Sequence, residues 1–142
     1  PEFQTYTQQA KEAAAKDNLR ILRNAIELYT AQHNGIPPGY PDGDTQNIPH
    51  YLVFAQQLLT YSNSNGKTYP IKHSSYPYGP YLSTLPTNLY NNLEDVWVLA
   101  PGLQEFPDEA TGEYGWIFDP ITKHIRVDWP GTDKDGIRYY DY

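Results

Sequence analysis

The sequence predicts an α+β fold: one long amphipathic helix, a shorter second helix, and a small antiparallel sheet of about three to four strands. Three observations carry this. Apolar residues recur at steps of three and four through the opening segment, and the period changes to two beyond Asp95. Between these regions the chain is crowded with proline, glycine and asparagine, the residues of turns.

The first helix should run from Glu2 to the stop at Asn34-Gly35-Ile36-Pro37-Pro38. Leu19, Leu22, Ile26 and Tyr29 form its apolar stripe, which Ile21, Ala25 and Leu28 widen. Glu12 and Lys16, like Arg23 and Glu27, stand four residues apart, as i,i+4 ion pairs worth a few tenths of a kcal/mol require. A run of about 30 helical residues spans roughly 45 Å, whereas a compact domain of this length has a radius of gyration of about 14–15 Å. Part of the helix is therefore expected to project and to be covered by something outside the chain. Toward its start, Phe3, Tyr6, Ala10, Ala13, Ala14 and Ala15 are small or isolated, so that half is either thinly covered by its own domain or a frayed terminus. Residues 1–35 accordingly read as a spine helix and residues 36–142 as a globular head.

Pro37, Pro38, Gly39, Pro41 and Gly43 make a stiff loop in which Asp42 and Asp44 are placed to cap a turn or hold a cation. A second helix is predicted from Pro49 to Tyr61, with Tyr51, Phe54, Ala55, Leu58 and Leu59 inward and Ser62-Asn63-Ser64-Asn65-Gly66 ending it. Residues from Gly66 to Pro80 read as loop. Val96-Trp97-Val98-Leu99 is a short strand. Tyr114, Trp116 and Phe118 alternate on a second strand, and Ile125, Val127 and Trp129 on a third, with Asp119–Lys123 turning between them as an antiparallel hairpin. Ile137–Tyr140 is a candidate edge strand.

Composition narrows the function. The 142 residues carry a net charge of −7 with no basic patch, which argues against nucleic acid as a partner. No cysteine is present, excluding disulfide and thiolate chemistry, and no run of about 20 apolar residues is available to span a bilayer. Methionine is also absent, which suggests a processed or truncated chain; Pro1-Glu2-Phe3 is native or a cloning scar. Fourteen tyrosines and thirteen prolines describe rigid loops and aromatic rings, which suit an extracytoplasmic or assembling protein better than a metabolic enzyme.

Three segments carry a resemblance. Leu22–Tyr29 followed by His33-Asn34-Gly35 and prolines, Gly79-Pro80-Tyr81-Leu82-Ser83-Thr84-Leu85-Pro86, and Gly115-Trp116-Ile117-Phe118-Asp119-Pro120-Ile121-Thr122 resemble the type IV pilin-like superfamily. Within it the chain is most similar to the major pseudopilin of type II secretion, over about Ala10 to Val127. The resemblance implies a filament subunit of the bacterial inner membrane and periplasm, supporting protein export without catalysis. Its partners would be copies of itself, other pseudopilins and inner-membrane components of the secretion system. It also implies an apolar half-helix upstream, with Pro1 at the junction, as the only membrane-embedded part, and Leu19, Leu22, Ile26 and Tyr29 as the filament-packing face. Assembly work would come from a separate ATPase, since no phosphate-binding glycine loop occurs in this chain.

The same resemblance implies calcium in the C-terminal loop region. The nearest acidic cluster is Asp133 and Asp135, with Asp128 or Asp141 as further ligands. Calcium takes six to eight oxygens, and the family pattern is not reproduced residue by residue. A solvated aspartate-glycine turn is the competing reading. His33, His50, His73 and His124 lack metal-ligand spacing, and Ser62, Ser64, Ser74, Ser75 and Ser83 sit in no nucleophile motif. Glu94, Asp95, Glu105, Asp108 and Glu109 read as solvated loop carboxylates, though a small hydrolase would draw on such a group. A carbohydrate-binding or adhesive extracellular module is the alternative function. It would use Trp97, Trp116 and Trp129 or the loop tyrosines Tyr69, Tyr76, Tyr78 and Tyr81, and would have its first helix packed along the whole length.

Overall fold

The first helix is the longest element and organises the rest. The computed structural model describes residues 2–142, with side chains from Thr7 onward; Pro1, the expected junction residue, lies outside the described residues. Helix α1 spans Glu2–Gln32. It stops because Asn34 and Gly35 both adopt positive φ (60° and 78°), and the Gly35 amide folds back onto the Thr30 carbonyl at 3.0 Å. That left-handed reversal satisfies a carbonyl the helix would otherwise leave unpaired.

Helix α2 covers Tyr51–Leu59, shorter at both ends than expected. Phe54 and Leu58 are its fully buried apolar residues, while Tyr51, Ala55 and Leu59 pack partly buried at the margin of the core. Two strands follow in a segment expected to be helix end and loop: β1 (Tyr61–Ser62) pairs antiparallel with β2 (Thr68–Tyr69). The Asn63 side chain, which accepts the amides of Asn65 (3.0 Å) and Lys67 (3.1 Å), turns the chain between them.

The main sheet holds β3 (Val96–Val98), β4 (Trp116–Phe118) and β5 (Ile125–Val127) in that spatial order. The predicted β4–β5 hairpin is present, with Trp116 opposite Val127 and Phe118 opposite Ile125. The sheet is nevertheless mixed rather than antiparallel, because β3 runs parallel to β4 with Val96 opposite Trp116. A long crossover, residues 99–115, permits that pairing where a tight turn would forbid it. The expected edge strand at Ile137–Tyr140 does not form. A single bridge joins Thr132 and Arg138, and a 3-10 turn spans Tyr139–Asp141.

The sheet buries both faces. On one, Trp116, Phe118, Ile125 and Val127 pack against Leu19, Leu22, Ala25, Ile26 and Tyr29 of α1 and Phe54 and Leu58 of α2. On the other, Ile117 packs with Leu99 and Tyr140 under a cover that includes Trp97 and Phe106. The octapeptide Gly79–Pro86 latches the helices together. The amides of Tyr81 and Leu82 reach the Leu58 carbonyl (2.9 and 3.1 Å), and the Tyr81 hydroxyl donates to Gln32 Oε1 at 2.6 Å. Gly79 cannot be replaced without strain: its φ is +78°, and a Cβ would stand 2.5 Å from the Thr60 carbonyl oxygen.

Candidate functional site

The surfaces available for recognition follow from what α1 spends on its own head. Leu19, Leu22, Ile26 and Tyr29, the expected filament-packing residues, are at most 2% exposed and lie inside the core of the same chain. That assignment is corrected: the strongest apolar stripe is the one a helix buries first, against its own sheet. Residues 7–10 at the other end of the described side chains are exposed, and half-buried positions begin at Lys11. Leu28 is 52% exposed on the outer side of the helix.

Where α1 meets the C-terminal loop, a polar joint replaces the expected ion pairs. Gln8 donates to the Tyr139 hydroxyl (3.3 Å), which donates to Glu12 Oε1 (3.1 Å). Lys16 stands 4.7 Å from the centre of the Tyr142 ring. Glu12 and Lys16 are thus each engaged by the head. Arg23 likewise turns from Glu27 to donate to the main-chain oxygens of Ile125 (3.2 Å) and Tyr142 (3.0 Å). The ion pair that does form along the helix joins Asp17 to Arg20 at 2.7 Å.

Two of the three aspartates of the calcium expectation, Asp128 and Asp133, are engaged by the protein's own donors. Asp128 is fully buried, and its carboxylate accepts the amides of Thr111 (2.7 Å), Gly112 (3.1 Å) and Tyr114 (3.0 Å) and the Thr111 hydroxyl (2.6 Å). These four donors take the lone pairs a cation would need and tie the 111–114 loop to the end of β5. Asp133 accepts the amides of Asp135 (2.9 Å) and Ile137 (3.0 Å) and the Tyr142 hydroxyl (2.9 Å). Those bonds hold its carboxyl below the ordinary range despite an opposing desolvation effect. Asp135 is exposed, and among the described residues no three acidic, histidine or cysteine side chains converge. Asp141 is committed to Arg138 through two bonds of 2.9 Å. Asp44 likewise accepts the Gln46 amide at 2.9 Å, which closes a turn.

One histidine and one serine do meet in space. His33 Nδ1 donates to the Tyr29 carbonyl (2.6 Å), leaving Nε2 to accept the Ser62 hydroxyl at 2.8 Å. His33 is 2% exposed, Ser62 is fully buried, and the imidazole lies flat on the Tyr29 ring at 3.7 Å. Burial lowers the imidazole pKa, so the ring is neutral and matches this bonding. With no opening for a substrate, the pair is a buried fastener between the end of α1 and β1.

Aromatic residues divide between core and surface. Trp116 is fully buried with its Nε1 donating to the Pro86 carbonyl at 2.9 Å; Trp129 stacks on Tyr90 and Trp97 leans on Tyr114. Tyr69 and Tyr76 stack face to face at 4.8 Å, covering each other, and Tyr81 is half-buried and bonded to Gln32. A sugar platform needs open ring faces side by side, which this pair does not offer.

Two features escaped sequence reasoning. Gln57, 1% exposed on α2, accepts the Gly39 amide (2.8 Å) and donates to the carbonyls of Tyr40 (2.8 Å) and Gly66 (3.0 Å), joining three segments. A polar residue on the inward side of an apolar helix was the available signal. The second is a pocket of about 400 Å³ between α1 and the hairpin, lined by Arg23, Lys123, His124 and Arg126 with Tyr140, Asp141 and Tyr142. Its cations come from two parts of the chain, α1 and the Lys123–Arg126 segment, so the pocket forms only where the helix packs on the hairpin. Comparison with protein-family models, curated proteins and solved structures finds no match for this chain.

Proposed function

We propose that this chain is the head and lower spine of a pilin-like filament subunit, of the pseudopilin kind that supports type II protein secretion, with a structural and not a catalytic role. The observation that carries this is the uneven use of α1. Its second half supplies core residues from Ala15 to Thr30, while residues 7–10 are exposed, on a helix of 31 residues. At 1.5 Å per residue that helix is roughly 46 Å long, more than the head needs. A single-domain binding module gains nothing from such an extension, whereas a subunit that stacks through its stem requires it. The latch of Gly79–Pro86 onto both helices and the hairpin at Gly115–Thr122 support the same reading, since the resembling segments are those that fasten head to spine.

Partners in this reading are sister copies and the inner-membrane components that feed a filament, placing the protein at the bacterial inner membrane and periplasm. The test is expression of the complete gene with a type II assembly apparatus, followed by electron microscopy of sheared cell surfaces. Thin filaments labelled by an antibody to the head are expected. Abundant protein that remains monomeric beside a working apparatus would contradict the proposal.

A further inference from the structure

Charge in this chain is segregated. From Lys72 to Lys123 there is no intervening Lys or Arg, while the same stretch carries Glu94, Asp95, Glu105, Asp108, Glu109, Glu113 and Asp119. Three cations of the opposite class, Arg23, Lys123 and Arg126, gather with His124 around the 400 Å³ pocket. The pocket is under-compensated. Asp141, its acidic side chain, lies 3.6 Å from Arg126 and is shared with Arg138 at 2.9 Å. Among the described residues neither Arg23 nor Lys123 has an Asp or Glu side chain within 4.0 Å.

Arg23 is also held ready. Its Nη2 is anchored by the main-chain oxygens of Ile125 and Tyr142, which fixes the guanidinium at the pocket wall. A preorganised guanidinium beside an ammonium suits a carboxylate, with little ordering cost left at contact. The complementary surface is on the same chain. Glu105, Asp108, Glu109 and Glu113 are all exposed, and none forms an ion pair among the described residues.

The geometry points to the Arg23–Lys123–Arg126 pocket as the acceptor, in one copy, for the acidic 105–113 loop of a second copy. This deepens the filament reading and rests on it for its setting. Each copy offers one pocket and one loop, the requirement for a heterologous contact that repeats from subunit to subunit. Attraction between surface charges is screened at high salt, with a Debye length of about 10 Å at 0.1 M and about 3 Å at 1 M.

The test mixes equal amounts of ¹⁵N-labelled and unlabelled chain and couples ammonium groups directly to carboxylates with a carbodiimide. Mixed-isotope peptides joining Lys123 to Glu105, Asp108, Glu109 or Glu113 are expected. They should fall about tenfold on going from low salt to about 1 M, and similarly in Arg23→Glu at low salt, while Arg23→Lys retains them. Circular dichroism of each variant separates loss of contact from loss of fold. Links from Lys123 confined to single chains, or mixed links to other carboxylates only, would overturn the assignment. Filaments formed without these mixed links refute the pocket and leave the filament standing; mixed links without filaments do the converse.

Discussion

At the residue scale, two buried polar side chains hold more of the head together than their number suggests. Gln57 satisfies the Gly39 amide and the Gly66 carbonyl and shares the Tyr40 carbonyl with the Gly43 amide. Replacing it with leucine keeps the volume and strands the Gly39 amide and the Gly66 carbonyl, at roughly 1–3 kcal/mol for each unsatisfied group. Gln57→Leu should therefore lose about 2 kcal/mol or more in urea titration, and a loss below about 0.5 kcal/mol would show that the two groups find other partners. His33 makes a pH-dependent contribution with a definite sign. Burial sets its folded pKa below the ordinary 6.5, so the unfolded chain takes the proton first as pH falls. Its stabilisation is complete above that ordinary value and is lost on acidification toward the folded value. Unfolding free energy should decline below pH ~6.5 with a slope of up to about 1.4 kcal/mol per pH unit. His33→Gln removes the titrating ring and should flatten this region. Equal slopes in the two proteins would place the protonation elsewhere.

At the element scale, α1 is two helices in one. Leu22, fully buried, meets the sheet, and truncation to alanine should cost about 2–5 kcal/mol in chemical denaturation. Leu28, 52% exposed, should cost under about 0.5 kcal/mol on the same change. Similar losses at both positions would mean that the helix rotates relative to the arrangement described. The helices and the hairpin were legible in the sequence because each writes its own period: Leu19-Leu22-Ile26-Tyr29 for α1, and Trp116-Phe118 facing Ile125-Val127 for the hairpin. The direction of β3 was not legible. A three-residue strand reached by a long crossover has no turn chemistry to declare its sense, and packing of Val96 and Val98 on the common core decides it. The β1–β2 pair was overlooked for another reason. Its Asn65-Gly66 dipeptide is a hairpin signal that reads equally as the stop of α2. The same period that revealed the α1 stripe misled about its partner: periodicity reports that a face is buried, not what buries it. Site residues fared worse because Asp128 and Asp133 carry the composition of a cation loop, whereas their oxygens are occupied by backbone donors.

At the scale of the whole molecule, the loops of the head are closed by their own hydrogen bonds. Saturating calcium would add about 4 kcal/mol at a thousand times its dissociation constant if a native site existed. With Asp128 and Asp133 engaged as they are, the melting temperature should move by less than about 1 °C between excess calcium and excess chelator. A rise of several degrees with calcium would restore the cation reading. What remains open on the surface is the lower stem, the cationic pocket and the acidic loop. Among the described residues, no helix is long and apolar enough to cross a membrane. A filament subunit of the proposed kind requires a hydrophobic segment ahead of α1 to seat it before assembly. The gene immediately upstream of the Pro1 codon is the most direct place to look. A short basic leader followed by about 20 apolar residues running unbroken into α1 is the predicted result. A start codon abutting Pro1, or a polar domain in that position, would contradict it.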